Sequence, residues 1–298
     1  MSASEAVPQI RDRTMLDGVL GVLRRLLSEP MTALGLILVV LMVSLAVFAD
    51  FVAPYGPLKI DVVHKLNSPS AAHWLGTDQL GRDVLSRLIF GARTALTIAV
   101  TSTGLAGLIG LLLGLVAGYG PRWLDGGLLL IFDSMNAIPM IMFALAVITV
   151  LGPGVATLIL VIVATSIPGY ARLIRSQTLS LKGSEFITAE RSLDASTPRI
   201  ILYHLLPNVV GPLIILLSMD IPVVMMIEAG LGYLGLGVRP PTPSWGTILY
   251  DAYTSLDRAP WLVVIAGAPL ALATLGFTFF GEGLRDALDP KLKVRRGL

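Results

Sequence analysis

Residues 184–201 read SEFITAERSLDASTPRII, and residues 203–208 read YHLLPN. This polar stretch interrupts a chain that is otherwise strongly apolar. Ser184 stands directly before Glu185, a pattern that predicts a capped helix start with an acidic residue in its first turn. The stretch therefore begins with one short predicted helix.

A second helix start follows within the same stretch. Thr197 precedes Pro198, and proline is favoured at the first helical position because its missing N–H costs nothing there. We therefore predict two short helices joined by a turn at residues 194–196, with Thr197 as the cap of the second.

The first predicted helix carries a small apolar face. Ala189 and Leu193 lie four residues apart, and Glu190, Arg191 and Asp194 can make charged contacts around them. Such a face suits docking into a groove on a partner protein. The alternative is an amphipathic segment that lies on a membrane surface.

The composition excludes a soluble globular domain of this length. Hydrophobic residues make up 54% of the 298 residues and charged residues only 14%, and the mean hydropathy is +0.79. These values indicate a membrane protein with several spans. The net charge is only +2, so a nucleic-acid partner is not indicated.

The residues needed for several kinds of chemistry are missing. The chain has no cysteine, and its three histidines (His64, His73 and His204) do not have metal-ligand spacing. No Gly-Lys-Ser/Thr phosphate loop occurs, so the chain is not predicted to hydrolyse ATP itself. We expect no catalytic residue, no metal and no cofactor in this chain, and any ATPase must be another subunit.

Six apolar runs are long enough to cross a bilayer, because a span needs about 20 apolar residues. They lie near residues 32–53, 95–118, 127–151, 155–175, 206–229 and 261–281. We therefore predict an all-α integral membrane protein with six transmembrane helices in the lipid bilayer.

The predicted organisation has four parts. Residues 1–30 form an N-terminal segment with an amphipathic interfacial helix, and residues 31–94 hold the first span and an external loop. Residues 95–283 form a five-helix core that contains the polar loop at 184–199, and residues 284–298 form a tail.

The distribution of basic residues predicts the orientation. Fifteen of the 22 Lys and Arg residues flank one face of the predicted bundle and seven flank the other. By the positive-inside rule, both termini and the loop at 184–199 are expected to be cytoplasmic.

A second motif lies in the predicted external loop, where residues 73–89 read HWLGTDQLGRDVLSRLI. Gly76 and Gly81 permit tight turns around Asp78. Asp83 is expected to pair with Arg82 or Arg87 and so hold the outer end of the second span. A plain structural elbow is the expected role, with direct substrate contact as the alternative.

Two further runs complete the pattern. Residues 228–246 read EAGLGYLGLGVRPPTPSWG, and they suit a tightly turned external re-entrant segment. Residues 283–290 read GLRDALDP, and Pro290 is expected to stop the last helix. Gly110, Gly114 and Gly118 recur at four-residue intervals in the second span, which predicts close packing against another helix.

Together these four motifs resemble the permeases of ATP-binding-cassette importers, and among them the dipeptide, oligopeptide and nickel family. The polar stretch is similar to the cytoplasmic Glu-Ala-Ala loop of that family. Thr188-Ala189-Glu190 matches its first part, Asp194 stands where the family has glycine, and Leu205-Leu206-Pro207 matches its end. Thr188 replaces the first glutamate. Asp tolerates the left-handed backbone of such a turn better than most residues.

The resemblance implies a type I importer fold, similar to the methionine permease, and closest to the second of the two permease subunits. It implies a heterodimer with a homologous permease, one or two cytoplasmic ATPase subunits that bind ATP and Mg, and an extracytoplasmic binding protein. It implies ATPase coupling by eight loop residues: Glu185, Thr188, Ala189, Glu190, Ser192, Leu193, Asp194 and Ala195. It also marks an external motif at Gly76, Thr77, Asp78, Gly81, Arg82 and Asp83.

Few ionisable groups lie within the predicted spans, and an acid at that depth is costly unless it faces a cavity or a partner. The candidates for a translocation pathway are Asp133, Asn136, Asp220 and Glu228. Asp220 lies beside Pro222, where a bend in the helix would open backbone carbonyls. A structural hydrogen bond between helices is the alternative for Asp220, and helix pinning is equally open for Asp133 with Asn136.

The expected function is therefore import of short peptides across the bacterial inner membrane, driven by ATP hydrolysis in partner subunits. Nickel, opines, glutathione or an oligosaccharide are alternative cargoes within the same class. An ion-driven carrier that works alone is the remote alternative, and it would require inverted repeats and more intramembrane acids or histidines.

Overall fold

The structure is a computed structural model that describes residues 26–288. Within this range the regular elements are helices, which we number in chain order: α1 (Pro30–Val47), α2 (Ala49–Val52), α3 (Val84–Tyr119), α4 (Arg122–Asn136), α5 (Met140–Leu151), α6 (Val155–Lys182), α7 (Glu185–Ser192), α8 (Thr197–Arg199), α9 (Leu206–Tyr233), α10 (Trp245–Thr254) and α11 (Pro260–Leu288). A 3₁₀ turn spans Val62–His64, and a π-helical segment, Ile200–Leu205, joins α8 to α9.

Five helices of the described range are long and apolar enough to cross a membrane, and a bent pair makes a sixth. The five are α1, α3, α6, the continuous helix Thr197–Tyr233 and α11. The all-helical prediction is confirmed. The predicted interfacial helix of residues 1–30 lies largely outside the described residues, as does the predicted stop at Pro290.

The predicted third span at 127–151 is not one helix. It consists of α4 and α5, which meet at an angle of 85°. Pro139 directly precedes α5, and Ile138 before it is disfavoured from helical geometry by the proline ring. The apolar run continues through this break, so hydropathy alone gave a straight span.

The second span begins earlier than predicted, at Val84 instead of near residue 95. Asp83 caps α3, because its carboxylate accepts hydrogen bonds from the Ser86 N–H at 2.8 Å and the Ser86 hydroxyl at 2.7 Å. The loop predicted to be external therefore ends at Asp83 and not at residue 94. The last span also extends to Leu288, into the predicted tail.

The glycines of α3 pack against α6, as the four-residue spacing predicts. A Cβ on Gly110 would lie 2.6 Å from the Cβ of Tyr170, and one on Gly114 would lie 2.6 Å from the Ala171 carbonyl oxygen. Gly118 meets Thr178 in the same way. The partner is therefore a helix of the same subunit, and α3 and α6 are in contact along several turns.

The buried apolar side chains form two clusters along the bundle. One lies toward the end that carries the loop 53–83 and α10, and it includes Trp245, Ile248 and Leu262. The other lies toward the opposite end, beside α7, and it includes Ile187 and Ile200. We call these ends the loop end and the α7 end.

Candidate functional site

The polar stretch forms a small helix, α7, that has one fully buried side chain. Ile187 is fully buried and packs in the cluster at the α7 end with Ile200 and Leu205. Ala189 lies on the opposite side of the helix and is exposed. Leu193, just past the helix, is 80% exposed. The predicted apolar face therefore points away from the protein, where a partner can contact it.

The turn after α7 takes the left-handed geometry that the family gives to glycine. Asp194 has φ +61°, its N–H donates to the Arg191 carbonyl at 3.0 Å, and the Ala195 N–H donates to the Glu190 carbonyl at 3.1 Å. These two bonds are the Schellman pattern that closes a helix C-terminus. The turn predicted at residues 194–196 is therefore present with aspartate.

The predicted caps need correction at both helices of this stretch. Ser184 occupies the N-cap position, but its hydroxyl donates to the Leu181 carbonyl at 2.6 Å and does not cap the helix. Ser196, and not Thr197, precedes the second helix. That helix is not a separate short one, because the chain runs on through the π-helical segment into α9.

A side-chain pair joins α7 to the start of this long helix. The Glu190 carboxylate lies 3.4 Å from Nε2 of His204, which is in the π-helical segment. The sequence predicts Glu190 as part of the docking surface. Its side chain is half-buried and faces the bundle, so this predicted coupling residue contacts the subunit itself.

At the loop end, the second motif forms a compact turn around Asp78. Gly76 and Gly81 have φ +75° and +74°, as the predicted tight turns require. A Cβ on Gly81 would lie 1.7 Å from the Asp61 carbonyl oxygen. The hydroxyl of Thr77, which is buried, accepts from the Asn67 N–H at 2.9 Å. The turn is therefore fixed by backbone packing that only glycine permits.

The predicted ion pair of Asp83 with Arg82 or Arg87 is wrong. Both arginines instead bind Asp78: Nε of Arg82 donates to its carboxylate at 2.7 Å, and Nη1 of Arg87 donates to the same oxygen. Asp83 caps α3 and lies 2.9 Å from Nδ1 of His73.

Asp251 of α10 completes this cluster and was missed in the sequence. Its carboxylate lies 3.1 Å from Nη1 of Arg87 and 3.4 Å from Nη2 of Arg82. Trp245, at the start of α10, donates its indole N–H to the Leu88 carbonyl at 3.0 Å. Asp251 follows Trp245 by six residues and is an acidic residue in a helix of mostly apolar composition. That contrast is the feature of the sequence that could have marked it as a candidate.

The structure does not bring the four candidate pathway residues together at one site. On α4, Asp133 accepts a hydrogen bond from Arg172 of α6 at 2.7 Å. Asn136, with its side-chain oxygen turned to the same guanidinium, accepts at 2.8 Å. Both residues thus contact one arginine.

Asp220 and Glu228 lie on the single helix α9 but in different surroundings. Asp220 is half-buried and lies near the Tyr170 hydroxyl of α6, which has no hydrogen-bond partner in the described part of the chain. Glu228 is fully buried beside Ser244, and neither carboxylate oxygen has a hydrogen bond in the described part of the chain. In residues 26–288 no three His, Cys, Asp or Glu side chains are placed to hold a metal ion.

This architecture matches a known family. Residues 110–294 match the family described as binding-protein-dependent transport system inner membrane component. The chain belongs to this family. Residues 21–69 match the N-terminal transmembrane domain of oligopeptide transport permease C, so the chain is a permease subunit of the oligopeptide permease C type. The family is that of ABC importers, which places the subunit in a bacterial inner membrane with ATPase, binding-protein and permease partners.

Named relatives cover most of the permease. It is 37% identical to the dipeptide transport system permease protein of Alkalihalophilus pseudofirmus, over 91% of this chain and 89% of the relative. It is 41% identical to the di/tripeptide transport system permease protein of Pseudomonas aeruginosa, over 87% and 88%. It is also 41% identical to a glutathione transport system permease protein of Escherichia coli, over 91% and 89%.

A solved structure shows the same fold at lower identity. A chain of the MetNI methionine ABC transporter, in inward-facing conformations, matches the permease with a TM-score of 0.57 and 18% identity. The match covers 68% of this chain and 96% of the other. The type I importer fold predicted for the permease is therefore confirmed.

Proposed function

We propose that this permease subunit carries short peptides of two or three residues across the membrane. Two observations support this cargo. The N-terminal part matches the oligopeptide permease domain, and the relatives that cover about nine-tenths of the chain include dipeptide and di/tripeptide permeases. Glutathione is the second candidate, because a glutathione permease is equally similar, and glutathione is itself a tripeptide.

We further propose that α7 is the helix through which ATPase subunits drive this permease. The single observation that supports it best is the orientation of α7. Ile187 anchors one side in the bundle while the side that carries Ala189 and Leu193 is exposed. A short helix with a small apolar exposed face fits a groove on a partner protein. With α7 on the cytoplasmic side, both chain termini are cytoplasmic as well.

In this mechanism the chain does no bond chemistry. ATP hydrolysis in the partner subunits moves their grooves, α7 follows the movement, and the spans switch between inward-facing and outward-facing arrangements by rigid-body motion. The complex would contain a homologous permease as the second half of a heterodimer, and a binding protein that delivers cargo at the loop end.

Asp220 is the proposed contact for a cationic group of the cargo. Its half-buried position near the middle of α9 leaves part of its carboxylate accessible. Asp133 and Asn136 are proposed to hold α4 against α6 through Arg172. Glu228 is fully buried, and its pathway role stays a prediction.

The test is to purify the complex through a C-terminal tag on this subunit and identify the co-purifying chains by mass spectrometry. Uptake of radiolabelled alanyl-alanine and of glutathione is then measured in proteoliposomes with and without ATP. ATP-dependent uptake of the dipeptide supports the peptide cargo, and uptake of glutathione alone supports the second candidate. Recovery of this chain alone, with transport that needs no ATP, would contradict the coupling proposal.

The role of α7 is tested with Ala189→Trp, which places a bulky side chain on the exposed face. We expect the ATPases to co-purify and hydrolyse ATP while uptake is lost. Val264→Trp is the matched control, because Val264 is 73% exposed on α11, far along the chain from α7. Equal uptake in the two variants would show that the exposed face of α7 is not the coupling surface.

A further inference from the structure

The helix α7 contacts the rest of the subunit at few places. Ile187 is its one fully buried side chain, and Glu190 reaches His204 on the long helix that continues as α9. A helix of eight residues held by one apolar anchor can pivot about that anchor. Any further contact between α7 and the bundle, besides that of Ile187, therefore sets the direction in which α7 points.

Such a contact exists at the C-terminal end of α3. The guanidinium of Arg191 lies over the ring of Tyr119, with 5.5 Å from its central carbon to the ring centroid. The ammonium of Lys182, at the end of α6, lies 5.1 Å from the same centroid. Both distances are within the range of attraction between a cation and an aromatic ring.

The position of Tyr119 in this arrangement is also fixed by contacts within α3 and α6. Lys182 donates a hydrogen bond to the Tyr119 backbone carbonyl at 2.8 Å, and the ring packs against the apolar cluster at the α7 end. The glycines of α3 hold the helix against α6 just before this residue, with Gly118 against Thr178. The ring therefore has a fixed position, against which a side chain from α7 can pack.

Arg191 in turn depends on Tyr119. Among residues 26–288, the Arg191 side chain makes no ion pair and no hydrogen bond with another side chain, so the ring is its one specific contact. Arg191 also lies about 100° around the helix from Glu190. The two contacts therefore hold α7 from two sides, one toward α3 and one toward α9.

We propose that Tyr119 is a positioning residue for coupling: its ring, through Arg191, sets the orientation of α7 and transmits the movement of α7 to α3 and α6. The proposal rests on the proposed coupling function and adds a further route to it. The chain itself joins α7 directly to α6 and, through the π-helical segment, to α9, whereas the ring belongs to α3. The ring is required for this role and the hydroxyl is not.

The chain offers a matched pair of variants. Tyr119→Phe keeps the ring and both cation contacts, whereas Tyr119→Leu keeps an apolar side chain of similar packing and removes both contacts. Arg191→Gln removes the contact between the guanidinium and the ring by changing the residue on α7. In the purified complex, we expect Tyr119→Leu and Arg191→Gln to lower uptake per ATP hydrolysed about threefold to tenfold, and Tyr119→Phe to behave as wild type.

A second measurement needs neither cargo nor partners. The chain has no cysteine, so nitroxide labels can be attached at Val116→Cys on α3 and Phe186→Cys on α7, both of which are exposed. Electron-spin distance measurements on the full chain in nanodiscs should give a narrow distribution for wild type and Tyr119→Phe. Tyr119→Leu should broaden or shift it.

The outcomes separate this proposal from the coupling function. An unchanged distance distribution and an unchanged uptake ratio in Tyr119→Leu would overturn the positioning role, while loss of uptake in Ala189→Trp would still support coupling by α7. Equal defects in Tyr119→Phe and Tyr119→Leu would also overturn it, because the ring would then not be the feature that matters. If Ala189→Trp has no effect, the coupling proposal itself fails, whatever the distance measurement gives.

Discussion

Glu190 of α7 lies 3.4 Å from His204, the fifth residue of the π-helical segment that leads into α9. The pair is partly exposed, so its contribution to stability is expected to be small, about 0.5 kcal/mol. We predict that Glu190→Gln and His204→Gln, alone and together, give the same small loss in a double-mutant cycle of thermal unfolding. Additive losses would show that the two side chains do not act as a pair.

The aspartate turn predicts a specific tolerance. Because Asp194 has φ +61°, Asp194→Gly and Asp194→Asn should change the free energy of unfolding by less than about 1 kcal/mol. Asp194→Val should cost more, about 1–2 kcal/mol, because a β-branched residue is strained there. Melting temperatures of the three purified variants test this, and a valine variant as stable as the other two would contradict it.

The contact between α3 and α6 predicts a difference between two glycines of one helix. Gly114→Ala places a Cβ 2.6 Å from both the Ala171 carbonyl oxygen and the Cβ of Ile174, whereas a Cβ on Gly104 has nothing within 4 Å. We expect Gly114→Ala to destabilise the protein by about 1–3 kcal/mol. Gly104→Ala should be neutral or stabilising by up to about 1 kcal/mol. Thermal unfolding in detergent compares them, and equal melting temperatures would argue against close packing at Gly114.

The charged cluster at the loop end predicts a strong dependence on Asp78. Asp78→Asn leaves two buried arginines without their main partner, which typically costs about 3–5 kcal/mol. Asp50→Asn is the control, because Asp50 pairs with Arg93 at 2.8 Å on the surface, where a pair contributes about 0–1 kcal/mol. Yield and melting temperature measure both. A large loss of melting temperature in the control and none in Asp78→Asn would contradict this prediction.

Two substitutions distinguish a cargo-contact role of Asp220 from a structural role. If its carboxylate contacts cargo, Asp220→Asn should lower uptake of alanyl-alanine at least about tenfold while the complex assembles normally, and Tyr170→Phe should leave uptake intact. If the interaction between these two residues is structural, both variants should lose melting temperature together and uptake should follow. Assembly, melting temperature and uptake of the same preparations distinguish the two cases.

Apolar run length predicted the spans of this protein, because burial in lipid needs a fixed number of apolar residues. The same signal placed the start of α3 too late, since the residues after Asp83 are less apolar than those after Thr94. It also missed the break at Pro139, because the run is apolar on both sides of the bend. Hydropathy predicts which residues are buried in lipid, but it does not predict where the helix axis bends.

The site residues show the same limit. The turn at Asp194 was predictable because its geometry is local to a few residues. The choice of Asp78 over Asp83 as partner of the arginines was not, since it depends on two left-handed glycines and their packing. Asp251 was out of reach, because it lies 164 residues along the chain from Arg87, and only the assembled fold brings them together.

The glycine contact between α3 and α6 also has a mechanical consequence. A helix of 36 residues is about 54 Å long, and its far end is fixed at Asp78 and Asp251 through Arg87. With that end as a fulcrum, the two joined helices act as one stiff lever. A displacement of about 5 Å at Tyr119 then tilts them by only about 5°, so a sizeable movement at α7 is converted into a small rotation of the helices at the loop end.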